Sequence, residues 1–497
     1  MKKYLSLFLA LLTILALFTA CGESTGGDES STASAVIQVD PDESTADPYH
    51  DADGFLLDSL PELNFNGVEV GILYDTKGTN STRIDFFAAE SNGEPINDAL
   101  YSRNIAVEER LGVTLKFTGE TGNDGNQKVY MAKAQADAQA DNEFTIYGAY
   151  SRTIPLLAYN GMCTNLLDTE YFDVEKPWWP DAITTECTIH DVLYFCTGDI
   201  STNTLWMMSC LYYNTEMMEN QHLDQTPENI VFDGKWTLDM FCEICNNAYQ
   251  EGADESSTVY GMSCYTACFD AFLNSCGVIS IVKDGNGDLM LSDDYIGEKT
   301  VNIVEKLGSF CTTTKTVYHA SSGYKENFAN QQALFILDGT YIVAGENAAS
   351  IDFEYGIMPL PKYNEEQETY VTNLRYPFNV FGINATSTKE NKTIGSAILE
   401  ALCSDSYRRV TPVQFESTMK TRYSKDNDAS KIYDIIRNNI VFDLGRIHNY
   451  SINNYYPNFR NACFNGGTSW SSQITTVNKA MKKLLTNLTA VYTDYTG

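Results

Sequence analysis

The chain has 497 residues and carries 66 Asp plus Glu against 33 Lys plus Arg, a formal net charge of -33. Such a field repels phosphate backbones and anionic headgroups and argues against nucleic acid as a partner. Hydrophobic residues at 43% and aromatics at 12% exclude a wholly disordered chain, and the length allows about two to four domains or two large lobes.

At the N-terminus, Lys2 and Lys3 precede an apolar run that ends in Thr19-Ala20-Cys21. Small residues followed by a thiol read as a bacterial lipoprotein signal, in which residues 1–20 are removed and Cys21 takes a lipid. The run is shorter than the roughly 20 apolar residues of a transmembrane helix. Residues 22–60 hold ten acids and no Lys or Arg, so residues 21–60 are expected to form an acidic flexible tether.

Beyond the tether, residues 68–74 predict a strand and 97–111 carry the apolar spacing of an amphipathic helix. Gly112 introduces a second strand over 113–117. An Ala-rich helix over 130–140, a strand over 144–147 and a helical stretch over 154–159 follow. Alternating strand and helix predicts an α/β fold with a parallel sheet, on which ligands bind beyond the carboxyl ends of the strands. Farther along, 211–213, 333–337, 355–361 and 379–383 read as strands, 295–312 reads as a helix, and helices dominate from 392 onward.

Chemistry-bearing motifs are sparse. Past Cys21 there are twelve cysteines but a single CxxC, Cys242 and Cys245, where a zinc site wants two such pairs with supporting His. Buried thiols, no metal and no cofactor are the expectation, and the spacing leaves disulfide pairing open. The five His are scattered, without an HExxH, GxSxG, P-loop or dinucleotide fingerprint, so no enzyme activity is expected. A hydrolase built on a carboxylate pair remains an alternative, although 66 acids make any chosen pair uninformative.

Four segments carry a resemblance: NDALYSRNIAVEERLGVTLKF (97–117), LYYNTEM (211–217), FANQQALFILDGTYIVAG (328–345) and FEYGIMPLPKY (353–363). In this order they resemble the extracellular solute-binding proteins of ABC importers, in the carbohydrate-type class that includes maltose-binding-type proteins. The resemblance implies a two-lobe periplasmic-binding-protein-like fold with a hinge and an interlobe ligand cleft. It divides the chain into residues 61–202 plus 331–380 for the first lobe and 203–330 plus 381–497 for the second, with hinges near 200–205, 329–333 and 378–383. The implied role is that of a monomeric lipoprotein on the extracellular face of a Gram-positive type cell membrane. It would capture a carbohydrate, most simply an oligosaccharide, and deliver it to ABC permease subunits. A surface lipoprotein with an adhesive or structural role, or a binder of a non-sugar solute, is the alternative.

Sugar sites want aromatic faces for stacking and polar groups around the ring edge. By position in the resemblance, the expected ligand contacts are Tyr147 and Tyr150 at the third strand, Asn203 and Trp206 at the first crossing between lobes, Tyr341 after Asp338-Gly339, and Trp470 after Gly466-Gly467. The paired Trp178 and Trp179, between two prolines, and Trp236 read instead as packing residues.

Overall fold

Two mixed sheets organise the residues that the computed structural model describes, 49–76, 85–422, 426–468 and 470–496. Cys21, the leader 1–20 and tether residues 21–48 lie outside the described residues. No helix among the described residues is long and apolar enough to cross a membrane.

The first sheet is built by β1 (Val68–Asp75), β2 (Val113–Glu120) and β3 (Phe144–Tyr150), with the order β9-β3-β1-β2 once β9 (Asn379–Ile383) returns to it. β1 runs parallel to β2 and to β3, whereas β9 pairs antiparallel with β3, so the expected parallel core carries an antiparallel edge. Helix α1 (Pro95–Leu111) starts two residues before the expected 97: Pro95 opens it, Glu94 accepts from the Asn97 N–H at 2.8 Å, and Gly112 closes it in the left-handed region at φ 60°. Its buried residues Ile96, Leu100, Asn104, Val107 and Leu111 recur at helical spacing and face the sheet core. On β1, a Cβ at Gly71 would meet the Glu143 carbonyl at 2.3 Å, so glycine there permits the close approach of the chain entering β3.

The second sheet contains β4 (Ser209–Asn214), β5 (Tyr260–Tyr265), β6 (Val317–Ala320), β7 (Ala333–Gly339) and β8 (Tyr355–Met358), ordered β8-β4-β7-β5-β6. β5 is parallel to β6 and β7, while β4 is antiparallel to β7 and β8. Asn214, the last residue of β4, accepts from the Met217 N–H at 3.0 Å and caps the helix that follows. Helices α2 (Gln127–Gln139), α3 (Glu298–Thr312), α4 (Lys389–Asp405), α5 (Asn427–Asn438) and α6 (Trp470–Thr493) complete the elements used below.

This topology corrects the expected division of the lobes. β7 and β8 belong to the second sheet, although residues 331–380 were expected in the first lobe, and β9 belongs to the first sheet, although 381–497 were expected wholly in the second. α4 follows β9 and packs on α1 and β3. The chain therefore crosses between sheets at 151–208, again at 359–378 and again after α4, where α5 packs against β8. The expected hinges at 200–205 and 378–383 adjoin crossings; 329–333 does not, because it feeds β7 from a helix beside the same sheet.

The end of the expected tether is docked rather than loose. Asp58 takes both guanidinium nitrogens of Arg110 at 2.6 and 2.7 Å, and Phe55 meets the Tyr407 ring edge-on at 5.6 Å. Burial would raise the Asp58 carboxyl, but the Arg110 hydrogen bond and charge outweigh it and hold the group below its ordinary value. Trp178 and Trp179 are fully buried, and their indole N–H groups donate to opposite oxygens of Glu400 on α4 at 3.1 and 2.8 Å.

Candidate functional site

A cavity of about 690 Å³ lies between the two sheets, at the carboxyl ends of their parallel strands. From the first sheet come Thr76 after β1, Asn123 and Asp124 after β2, and Tyr150 and Arg152 at and after β3. From the second come Tyr265 at the end of β5, residues 321–326 after β6, and Tyr341 after β7. Because β4 runs antiparallel to β7, its first residue, Ser209, pairs with Gly339 at this same end. The second crossing contributes Asn373, Arg375, Tyr376 and Pro377, and the C-terminal part adds Arg446, Pro457 and Arg460. Ligands in open α/β sheets sit at such strand ends because the chain diverges there and leaves a crevice.

Asp338, the penultimate residue of β7, holds the second-sheet wall in place. It is fully buried, and its carboxylate accepts from Tyr324 Oη at 2.7 Å, Tyr341 Oη at 3.0 Å and the Gly339 N–H at 2.7 Å, while it forms an ion pair with Arg375. Arg375 in turn lies over the Tyr341 ring at 5.3 Å and the Tyr265 ring at 5.5 Å. One buried carboxylate thus fixes two tyrosines and a guanidinium that the chain supplies from three separate segments. On the opposite wall, Arg152 Nη2 donates to Tyr150 Oη at 2.9 Å and pairs with Asp124 at 3.0 Å. Burial pushes the Tyr150, Tyr324, Tyr341 and Tyr376 phenols above their ordinary value, so these hydroxyls stay neutral and can donate.

Of the residues expected from sequence, Tyr150 and Tyr341 line this cavity. Tyr147, Asn203, Trp206 and Trp470 do not. Tyr147 sits mid-strand in β3, fully buried opposite Gly382 of β9. Asn203 and Trp206 lie in a short buried helix at the first crossing, where the Asn203 N–H donates to Asp85 Oδ1 at 2.9 Å. Trp470 begins α6 and is packed edge-on against Tyr295 at 5.5 Å. The glycines before it serve close backbone approach to α3, not exposure. A Cβ at Gly467 would meet the Val304 carbonyl at 2.6 Å, and one at Gly308 would meet Gly466 at 2.5 Å.

Sequence reading did not find Tyr265, Tyr324, Tyr376 or the four cavity arginines, 152, 375, 446 and 460. The arginines are scattered between residues 152 and 460 and share no motif, and the one available signal was their scarcity in so acidic a chain. Among the described residues no group of three or more His, Cys, Asp or Glu is arranged to hold a metal ion, and the twelve cysteines past Cys21 are free.

Comparison with known structures places this geometry. Maltose-bound MalE3 of T. maritima matches with a TM-score of 0.53 at 14% identity, covering 84% of this chain and 100% of that one. The cyclic alpha-maltosyl-1,6-maltose binding protein of Arthrobacter globiformis gives a TM-score of 0.55 at 13% identity, covering 85% and 100%. UgpB of Mycobacterium tuberculosis in complex with glycerophosphocholine gives 0.53 at 13% identity, covering 84% and 98%. At these identities the likeness is one of fold, the two-lobe periplasmic-binding type. No curated protein matches the sequence. Residues 106–408 match the profile of a family described as bacterial extracellular solute-binding proteins. That span runs from within α1 through β2 to β9 and α4, with the crossings at 151–208 and 359–378, and with it the chain belongs to the family of bacterial extracellular solute-binding proteins, a family of binders rather than enzymes.

Proposed function

We propose that the protein is a lipid-anchored receptor that captures a carbohydrate in the cavity between its sheets and presents it to an ABC permease. The observation that carries this reading is the wall of tyrosines, 150, 265, 324, 341 and 376, interleaved with fixed hydrogen-bonding groups around about 690 Å³. Aromatic faces receive the C–H faces of a pyranose, and neutral phenols, amides and guanidiniums satisfy its hydroxyls. The volume suits an oligosaccharide of a few residues, and several structural neighbours are described with maltose or cyclic maltose-type ligands. Attachment through Cys21 is supported by the Thr19-Ala20-Cys21 junction, and the acidic stretch after it would hold the body away from an anionic surface. The glycerophosphocholine complex of a similarly folded protein favours a second reading, a non-sugar solute.

A thermal-shift screen of the purified protein against mono- and oligosaccharides tests the primary reading. A sugar at 100 times its dissociation constant should stabilise the fold by about 2.7 kcal/mol. If no saccharide shifts the melting temperature while a glycerophosphodiester does, the second reading replaces the first.

A further inference from the structure

The cavity reverses the sign of the protein. Across the whole chain acids outnumber bases by 66 to 33, yet the cavity wall carries Arg152, Lys325, Arg375, Arg446 and Arg460 against Asp124 and Glu326. Two of these cations are neutralised from behind: Arg375 by Asp338 and Arg460 by Asp270. Arg152 and Arg446 are different. Both are more than nine-tenths buried, at 5% and 6% exposure. Arg446 Nη2 donates to the Leu374 carbonyl at 2.7 Å, but Nη1 has no hydrogen-bond partner among the described residues, and neither has Arg152 Nε. Arg152 has a carboxylate partner in Asp124, whose side chain is 66% exposed, whereas among the described residues no carboxylate lies within ion-pair distance of Arg446.

The two guanidiniums also converge. They lie against one ring, Tyr376, with their central carbons 3.9 and 4.1 Å from its centroid, and the Tyr376 hydroxyl itself has no hydrogen-bond partner among the described residues. Of the acids that face Arg446 from behind, Asp270 pairs with Arg460 through Oδ2, its Oδ1 having no hydrogen-bond partner among the described residues, and Asp443 accepts from Asn274, Ser280 and the Gly445 N–H. Two buried like charges around one ring repel, and buried donors left unmade are costly, unless something anionic completes the arrangement. The planar guanidinium fork is the group best suited to receive a carboxylate, sulfate or phosphate.

We infer that the solute is an acidic saccharide, a sugar chain bearing a carboxylate, sulfate or phosphate, whose anionic group is received by Arg446 and Arg152 beside Tyr376. The inference rests on the carbohydrate reading above and narrows it. Neutral sugar rings occupy the tyrosine-lined remainder of the cavity, and the anion selects among sugars of similar shape.

Calorimetric titration of the purified full chain separates the cases. The probes are a neutral oligosaccharide, an oligo-uronate of the same length, a sulfated disaccharide, a sugar phosphate, and inorganic sulfate and phosphate alone. The inference expects one acidic saccharide to bind at least about tenfold tighter than the neutral one, with the preference shrinking as salt is raised. Comparison among the uronate, sulfate and phosphate arms identifies the anion. Arg446→Gln should erase most of that preference, lowering the affinity for the acidic saccharide far more than that for the neutral one, and Arg152→Lys, which keeps the charge and loses the fork, should weaken it. Melting curves check that each variant is folded, and the salt dependence of the wild type stands without them. Neutral sugars binding as tightly as acidic ones, a salt-independent preference, or an unchanged preference in a folded Arg446→Gln protein would overturn the inference and leave the carbohydrate reading intact. Binding of a glycerophosphodiester or inorganic phosphate with no response to any saccharide would overturn both.

Discussion

Tyr341 donates its hydroxyl to Asp338 at 3.0 Å, three residues back along the chain, and this bond, with Arg375 donating to the same hydroxyl, sets the ring on the cavity wall. The same carboxylate balances Arg375, which arrives from the crossing between β8 and β9. Asp338→Asn keeps one acceptor and removes the charge, so a mostly buried guanidinium loses its counter-ion. The expected cost is about 3 to 5 kcal/mol in urea unfolding, with loss of solute binding in whatever fraction stays folded. An unchanged midpoint would show that Asp338 does not carry this load.

Tyr265 and Trp470 should separate binding from packing. Tyr265 is half-buried on the cavity wall, so Tyr265→Ala is expected to weaken solute binding by about 1 to 3 kcal/mol with little change in melting. Trp470 is buried against Tyr295 and Phe459, so Trp470→Ala should cost about 3 to 5 kcal/mol of stability and leave the affinity of folded protein unchanged. Titration and melting curves of both variants read the two effects independently.

Arg103 ties the first crossing and the third to α1. Fully buried, it donates to the Phe86 carbonyl, to the Ile200 carbonyl at 3.3 Å and to Ser406 Oγ at 2.7 Å. Nearby Asp85, raised to about 6 by burial, accepts from Ser201 Oγ at 2.6 Å. Arg103→Met should destabilise the protein by about 3 kcal/mol, since it strands the buried Phe86 and Ile200 carbonyls. Chemical denaturation checks it, and a loss under about 1 kcal/mol would mean that water replaces the guanidinium.

His448 and Glu400 pull the pH dependence in opposite directions. Burial lowers His448 to about 3, so its contribution is complete above the unfolded value near 6.5 and is lost as pH falls toward 3. Burial raises Glu400 to about 7, so its contribution is complete below about 4.5 and is lost as pH rises through 7. His448→Gln should therefore remove a stability gain of up to about 1.4 kcal/mol per pH unit between 3 and 6.5, relative to wild type. Unfolding measured at several pH values in both proteins gives the difference directly, and parallel curves would refute it.

Much of the fold is legible in local pattern. The strands at 68–74, 113–117, 144–147, 333–337 and 379–383 all form, because each is a short β-rich run with clear turn chemistry beside it, such as Gly112. What local pattern cannot carry is partner choice. β7 is buried along its whole length, so it has no solvent face to say which sheet it joins, and the expected lobe boundaries failed there. The site divides on the same line. Tyr150 and Tyr341 were found because they end or follow strands, whereas Arg152, Arg375, Arg446 and Arg460 meet only through the tertiary fold. Trp470 misled because Gly466 and Gly467 look the same in sequence whether they open a loop or admit a helix.

The most direct test of the central claim is a crystal structure of the protein with a sugar that shifts its melting temperature. The account predicts density between Tyr150 and Arg152 on one wall and Tyr265 and Tyr341 on the other, with a ring stacked on at least one tyrosine. Density in another sizeable concavity, such as the one beside Tyr213, Met218 and His222, with the central cavity holding only water, would contradict it.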